Sequence, residues 1–238
     1  MLVGTLLERL AEDPAAAALL LDIDGTLAPI AAAPELAVVP EVTRAELRRL
    51  AGDYALVACV SGRPSGDAAR LVGVDGVRYV GEHGLELHPE ADAWSQRLDE
   101  FASTVDWPVE PGKRFTRSFH YRGVEDEDAA EALLRGVAER AVLEGLRPRW
   151  GRKVLEIRPP VAADKGTAVR GLLDAAGLQR ALYAGDDDTD LDAFRSLDGL
   201  EVAVRVAVVS EEAPTDLGQA ADLLVGGPDE LRELLRRL

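Results

Sequence analysis

Four short stretches of this chain put hard, charged or hydroxylic groups where an apolar run stops. "ALLLDIDGTLAPI" leads into Asp22 and Asp24, one residue apart, then Gly25 and Thr26. "YALVACVSGRP" ends on Ser61, Gly62 and Arg63. "DKG" supplies Lys165, and "ALYAGDDDTD" ends on Asp186, Asp187, Asp188 and Asp190. Neighbouring carboxylates repel unless a positive body sits between them. Hard carboxylate oxygens favour Mg2+, which binds through one or two carboxylates, waters and a substrate phosphate. Lys165 opens a helix, where the dipole disfavours a cation, so an acidic neighbour or anionic ligand would rationalise it. Singly, an Asp-x-Asp or a Ser-Gly is ordinary turn and cap chemistry. Their joint occurrence, each at a strand exit, is what points to catalysis. The acidic run is not a calcium loop: Leu191 and Leu197 stand where Gly and Glu are required.

The elements that must position these groups follow from pattern. Short apolar runs stopped by polar residues read as buried parallel strands in "AALLLDIDG", "YALVACV" and "ALYAG". "RYVGEHGLEL" reads as strand-like with glycine breaks. Helices are expected in "MLVGTLLERL", "PEVTRAELRRLAG", "SGDAARLVG", "KGTAVRGLLDAAG", "LDAFRSLDG" and "DELRELLRRL", and a further strand in "LEVAVRVAV". Alternating strands and helices predict an α/β fold with a doubly wound parallel core, whose ligands bind beyond the carboxyl ends of the strands. The middle differs. "KRFTRSFHYRG" and "GRKVLEIRPP" are extended and basic, and "EDEDAAEALLRGVAERAVLEG" between them is helical with acids in its first turn. The expected organisation is a core over 1–87 and 159–238, with an inserted α+β module over 88–158 and Pro159-Pro160 as its exit.

Composition sets bounds. The 238 residues allow one large domain or two small ones. A net charge of -16 argues against nucleic acid or an anionic membrane as partner, since both demand a basic face. A local pocket can still be positive and take a phosphorylated small molecule. The one cysteine, Cys59, allows no intrachain disulfide and lies in an apolar run, where a buried, inert thiol is expected. No basic leader or membrane-length apolar run opens the chain, so a soluble, cytoplasmic protein is expected, and its acidic surface suits a monomer.

The motifs "DIDGTL", "VSGR", "DKG" and "GDDDTD" resemble the four motifs of haloacid dehalogenase superfamily phosphatases. The finer pattern, "SGRP", "GEHGLE", "HYR", "VLEIRP", "DKGTAV" and "GDDDTDLDAF", resembles the trehalose-6-phosphate phosphatase family, from Leu20 to about Val209. The resemblance implies a Rossmann-like core with a cap domain, Mg2+ as cofactor and a sugar phosphate as substrate. It implies Asp22 as nucleophile, Asp24 as general acid then base, Ser61 as a hydrogen bond to the phosphoryl oxygens and Lys165 as their counter-charge. Asp186 would complete the Mg2+ site with the Asp22 side chain and the Asp24 backbone carbonyl, and Asp187 and Asp190 would orient it. By the same resemblance Gly25, Thr26, Gly62 and Arg63 would belong to substrate binding, and His83 and Gly84 would lie where cap meets core. Lys113, Lys153 and Glu156 match positions that contact the disaccharide.

Two departures stand out. The acidic companion of Lys113 is expected two residues earlier, where this chain has Pro111; Glu110 is one step further back. Leu191 replaces a common Glu, which should alter helix capping more than catalysis. Physical readings of the cap residues remain. Lys153 and Glu156 are oddly spaced, so a regular strand puts them on opposite faces. His120, between aromatics and Arg, reads as packed in the sheet, and Trp94, Trp107 and Trp150 read as packing residues. Alternatives to trehalose 6-phosphate are sucrose phosphate, a glucosylglycerol phosphate or a mannosylglycerate phosphate. A non-catalytic sugar-phosphate sensor is opposed by the intact Asp22 and Asp24, and a phosphomutase by the cap signature.

Overall fold

A computed structural model describes residues 2–31, 33–151, 153–210 and 214–238. The strands described are β1 (Ala18–Leu21), β2 (Leu56–Val60), β3 (Arg78–Val80), β4 (Arg117–His120), β5 (Arg147–Gly151), β6 (Val154–Arg158), β7 (Arg180–Gly185), β8 (Val202–Val208) and β9 (Leu223–Val225). The α-helices are α1 (Leu2–Ala11), α2 (Glu41–Asp53), α3 (Ser65–Val72), α4 (Ser95–Ser103), α5 (Glu127–Leu143), α6 (Lys165–Ala176), α7 (Asp188–Ser196), α8 (Thr215–Ala220) and α9 (Pro228–Leu235). The chain divides into two compact units, one of Met1–Gly84 with Ala163–Leu238 and one of Leu85–Ala162.

The first unit is built on a six-stranded parallel sheet in the order β3-β2-β1-β7-β8-β9. Its central strands are near-continuous apolar runs because both faces are covered. Leu19, Leu21, Cys59, Leu182 and Ala184 pack with Leu10 of α1, Leu47 and Leu50 of α2, Val72 of α3 and Leu231 of α9. Ala18, Leu20, Val60, Ala181 and Tyr183 pack with Val169 and Leu173 of α6, Phe194 of α7 and Leu217 of α8. This is the expected doubly wound core. Cys59 is fully buried, and burial pushes its thiol pKa far up, leaving it protonated.

The second unit is an antiparallel sheet in the order β4-β6-β5 with two helices. Phe119, Leu155 and Ile157 from the sheet meet Leu98 and Phe101 of α4 and Leu134 and Val137 of α5. β5 escapes a pattern reading because "RPRWG" contains a proline; as an edge strand it tolerates the missing donor. "RYVGEHGLEL" is a strand only over β3, because Glu82 (φ 46°), His83 (φ 55°) and Gly84 (φ 91°) turn into the left-handed region that no strand can hold. No helix among the described residues is long and apolar enough to cross a membrane.

Candidate functional site

Parallel pairing sends every strand of the first sheet out of the same edge. Asp22 follows β1, Ser61 follows β2 and Asp186 follows β7. Strand order reverses its sense of addition between β1 and β7, so Asp22 and Asp186 flank the switch point where such sheets bind ligands.

Lys165 ties this edge together. Its Nζ lies 2.8 Å from Asp22 Oδ1 and 2.7 Å from Asp190 Oδ1, and all three side chains are buried. The lysine reaches this point because Asp164 and Thr167 form a capping box that starts α6 there. Asp190 is fixed from four sides. Its Oδ1 accepts from Lys165 and from the Tyr183 hydroxyl at 2.7 Å, and its Oδ2 accepts from the backbone N–H groups of Asp186 and Asp187 at 2.9 Å each. One oxygen each of Asp22, Asp186 and Asp190 falls within 4.8 Å of the others, a grouping able to hold a metal ion. Asp190's bonds use the lone pairs of both its oxygens.

The electrostatics favour a cation. Burial pushes the Asp22 pKa well up; Lys165 pulls it down, and the charges of Asp190 and Asp186 raise it further. Burial would lower the Lys165 pKa, but Asp190 and Asp22 outweigh it, so the ammonium stays charged. Three buried carboxyl groups crowd one lysine, and the acid repulsion that raises the Asp22 pKa is what a divalent ion would offset. The donor set is hard oxygen and suits Mg2+. Space is kept by glycine: a Cβ on Gly25 (φ 86°) would collide with the Asp186 carboxylate, and one on Gly185 with Asp190.

The other expected residues of this unit lie as follows. Ser61 is buried, and its Oγ accepts from Arg63 N–H at 3.2 Å, leaving its own hydrogen to donate. The Asp24 carboxylate is not in the metal-holding group; Arg63 holds it through Nε at 2.6 Å and Nη2 at 2.7 Å, and Arg63 also donates to Pro34 O. Thr26 Oγ1 donates to Asp186 Oδ1 at 3.4 Å. Gly62 lets the His83 ring approach, and Gly84 packs against Asp164 and Ala168 at the start of α6. Asp187 caps α7 in a box with Asp190, so the cap closes without help from position 191, and Leu191 packs on the core instead. Tyr183 is the residue that motif reading missed. A hydroxyl-bearing ring in an aliphatic buried strand was its signal, since a buried Tyr needs a partner.

The second unit carries its own charged cluster. Lys113 Nζ lies 3.0 Å from Glu110 Oε2 and 3.3 Å from Glu156 Oε1, and donates to Ser118 Oγ at 2.8 Å. Burial alone would lower the Lys113 pKa; Glu156 and Glu110 raise it. Glu110 therefore stands beside Lys113 despite Pro111. Lys153 is not brought to this cluster. It sits before β6 with φ 58°, pairs with Glu127 at 3.0 Å and lies over the Tyr121 ring. His120 is exposed rather than packed: alternation along β4 puts it on the face of Ser118, opposite Phe119, and its Nε2 lies 2.9 Å from Glu110 Oε2. Trp94 and Trp107 pack on this unit's core, and Trp150 meets Tyr121 edge to face.

The sequence profile of the trehalose-phosphatase family matches residues 20–110 and 109–220. The chain belongs to the trehalose-phosphatase family. A Mycobacterium tuberculosis protein, described as an uncharacterized glycosyl hydrolase, is 35% identical over 79% of this chain and 16% of its own length. A probable trehalose-phosphate phosphatase of Oryza sativa subsp. japonica is 34% identical over 92% of this chain and 64% of its own. The chain thus spans less than two thirds of either relative. The C-terminal domain of the C. albicans trehalose-6-phosphate phosphatase shares the fold, with a TM-score of 0.79 at 22% identity over 99% of this chain and 95% of that one. A haloacid dehalogenase-like hydrolase from Bacteroides thetaiotaomicron shares it too, at a TM-score of 0.68 and 18% identity over 93% and 98%.

Proposed function

We propose that this chain is a Mg2+-dependent phosphatase that hydrolyses trehalose 6-phosphate to trehalose and phosphate through an aspartyl-phosphate on Asp22. The observation that carries the reading is the buried Asp22–Lys165–Asp190 array at the switch point of the sheet, with Asp186 beside it. Asp22 attacks phosphorus, the bond to the sugar oxygen breaks, and Asp24 gives that oxygen its proton. Water then attacks the phosphorus, Asp24 takes the water's proton, and the bond to Asp22 breaks to release phosphate. Lys165 offsets charge on Asp22 and the phosphoryl group, and Ser61 donates to a phosphoryl oxygen. Before substrate enters, Arg63 holds Asp24. Asp22 and Asp186 would hold the Mg2+, with the Asp24 carbonyl as the further ligand the motif implies. When bound, the ion neutralises phosphoryl charge and orients the ester.

The second unit would recognise the sugar through Lys113 and Glu156, whose charged groups suit hydroxyl binding. The test is phosphate release from trehalose 6-phosphate, sucrose phosphate, glucose 6-phosphate and an aryl phosphate, with Mg2+ and with chelator. Preference for trehalose 6-phosphate supports the reading. Preference for another sugar keeps the chemistry and replaces the substrate. No turnover of any ester sinks the enzyme reading and leaves the sensor.

A further inference from the structure

The two faces of the β4-β6-β5 sheet are chemically opposite. One carries Phe119, Leu155 and Ile157 against α4 and α5. The other carries Ser118 and Glu156, paired across β4 and β6, with His120 and Arg158 two residues along on the same face. Lys113 and Glu110 join this polar face, which gives a chain of contacts: His120 to Glu110, Glu110 to Lys113, Lys113 to Glu156, and Glu156 to Arg158 at 3.9 Å. Lys113, Glu156 and Arg158 are buried. Well-packed apolar residues would hold a sheet face at least as firmly as a buried ion network. A small unit that keeps ions here has a use for them.

The charges along this chain cancel: two carboxylates, one ammonium, one guanidinium. Arg149 and Arg147, opposite Glu156 and Arg158 on β5, add cations on the strand farthest from β4. The chain of contacts that ends at His120 is thus polar and electrically balanced, with Val154 opposite His120 on β6, which suits an uncharged, hydroxyl-rich ligand and not an anion. His120 is the accessible end, with its side chain 41% exposed. The Glu110 pKa is held low: burial raises it, but the His120 bond and the Lys113 ammonium outweigh burial. An ionised carboxylate only accepts, so Nε2 of a neutral His120 carries the ring hydrogen and Nδ1 is left as an acceptor.

We infer that His120, oriented by Glu110, is a specificity-determining residue that accepts a hydrogen bond from a hydroxyl of the neutral sugar ring. The inference rests on the sugar-phosphatase reading and goes beyond it, because it gives the His120 side chain, which that reading leaves without a role, a part in selectivity. Sites built to pair a hydroxyl lose selectivity steeply when the pairing group goes.

The experiment measures kcat/KM for trehalose 6-phosphate and for p-nitrophenyl phosphate in the parent chain, His120→Leu and His120→Gln. In His120→Leu the ratio of the two values should fall by about 10-fold or more, mostly through KM for the sugar phosphate. His120→Gln, which keeps an acceptor, should recover part of the loss. A ratio within about twofold of the parent in His120→Leu, or equal losses on both substrates, overturns the inference while the parent's own preference still stands. A parent that turns over the aryl ester but does not prefer trehalose 6-phosphate overturns the substrate reading, and this inference with it. Both variants sit at an exposed ring, and unchanged circular dichroism spectra show that the fold is intact.

Discussion

Two buried lysines, Lys165 and Lys113, are each gripped by two carboxylates, yet the sites around them differ in net charge. Lys165 bridges Asp22 and Asp190 with Asp186 close by, so one cation faces three acids. Lys113 bridges Glu110 and Glu156, and Arg158 completes the balance. The same local device therefore does two things. With excess acid it makes a grouping able to hold a divalent ion. With the charge balanced it makes a polar, neutral surface suited to hydroxyls.

The hardest test of the contrast is at the acidic site. Asp22→Asn should lower turnover of every phosphate ester by about 10^4-fold or more, as loss of a nucleophile does, with the circular dichroism spectrum unchanged. Activity above about one part in a hundred of the parent would refute the nucleophile assignment. Chelation should stop turnover on all substrates, Mg2+ should restore it, and Ca2+ should not, because its size and higher coordination number misplace reacting groups. Mg2+ should also raise the melting temperature of the chelated parent, and not that of Asp186→Asn. A melting shift that survives in Asp186→Asn would move the ion elsewhere.

Much of this contrast was legible in the sequence, for reasons that differ by site. Asp22, Ser61, Lys165 and Asp186 were readable because each ends an apolar run or opens a helix, and a parallel sheet gathers such ends at one edge. The doubly wound core was readable because strands covered on both faces are near-continuous apolar runs. Tyr183 was not, since its role depends on a carboxylate seven residues away that returns over it at the start of α7. Arg63's hold on Asp24 was not, because a long side chain reaches across elements. In the second unit the alternation warned that Lys153 and Glu156 face opposite ways, and the structure keeps them on separate partners, Glu127 and Lys113. His120 was misread as packed because its aromatic neighbours in sequence lie on the other face.

The balanced site is tested by selectivity. Glu156→Ala should depress kcat/KM on trehalose 6-phosphate about 10- to 100-fold more than on an aryl phosphate. Equal loss on both would make the cluster a strut and end the comparison. Tyr183→Phe bears on the first site and should be milder. It keeps the ring against Phe194 but removes one of the donors to Asp190, so Lys165 is drawn toward Asp190 and away from Asp22. A kcat lowered about 10-fold with KM little changed is expected, the size of one lost hydrogen bond to a charged group. A change in KM alone would show that Tyr183 does not act through the lysine.

The smallest effect should come from Glu110, and its sign follows from its partners. Burial raises its pKa, but the His120 bond and the Lys113 ammonium hold it below the ordinary 4.5. A depressed carboxylate stabilises the fold above its unfolded pKa, and that stabilisation is lost as pH falls through the folded value. Glu110→Gln should therefore melt lower than the parent at pH 7, by an amount worth about 1 to 2 kcal/mol, one charge-assisted bond. The gap should narrow as the pH drops below 4.5, where the parent's own Glu110 takes up a proton. Urea denaturation at pH 7 and at successively lower pH measures it. A gap that stays constant would mean that Glu110 acts by packing rather than by charge, and Lys113 would then lean on Glu156 alone.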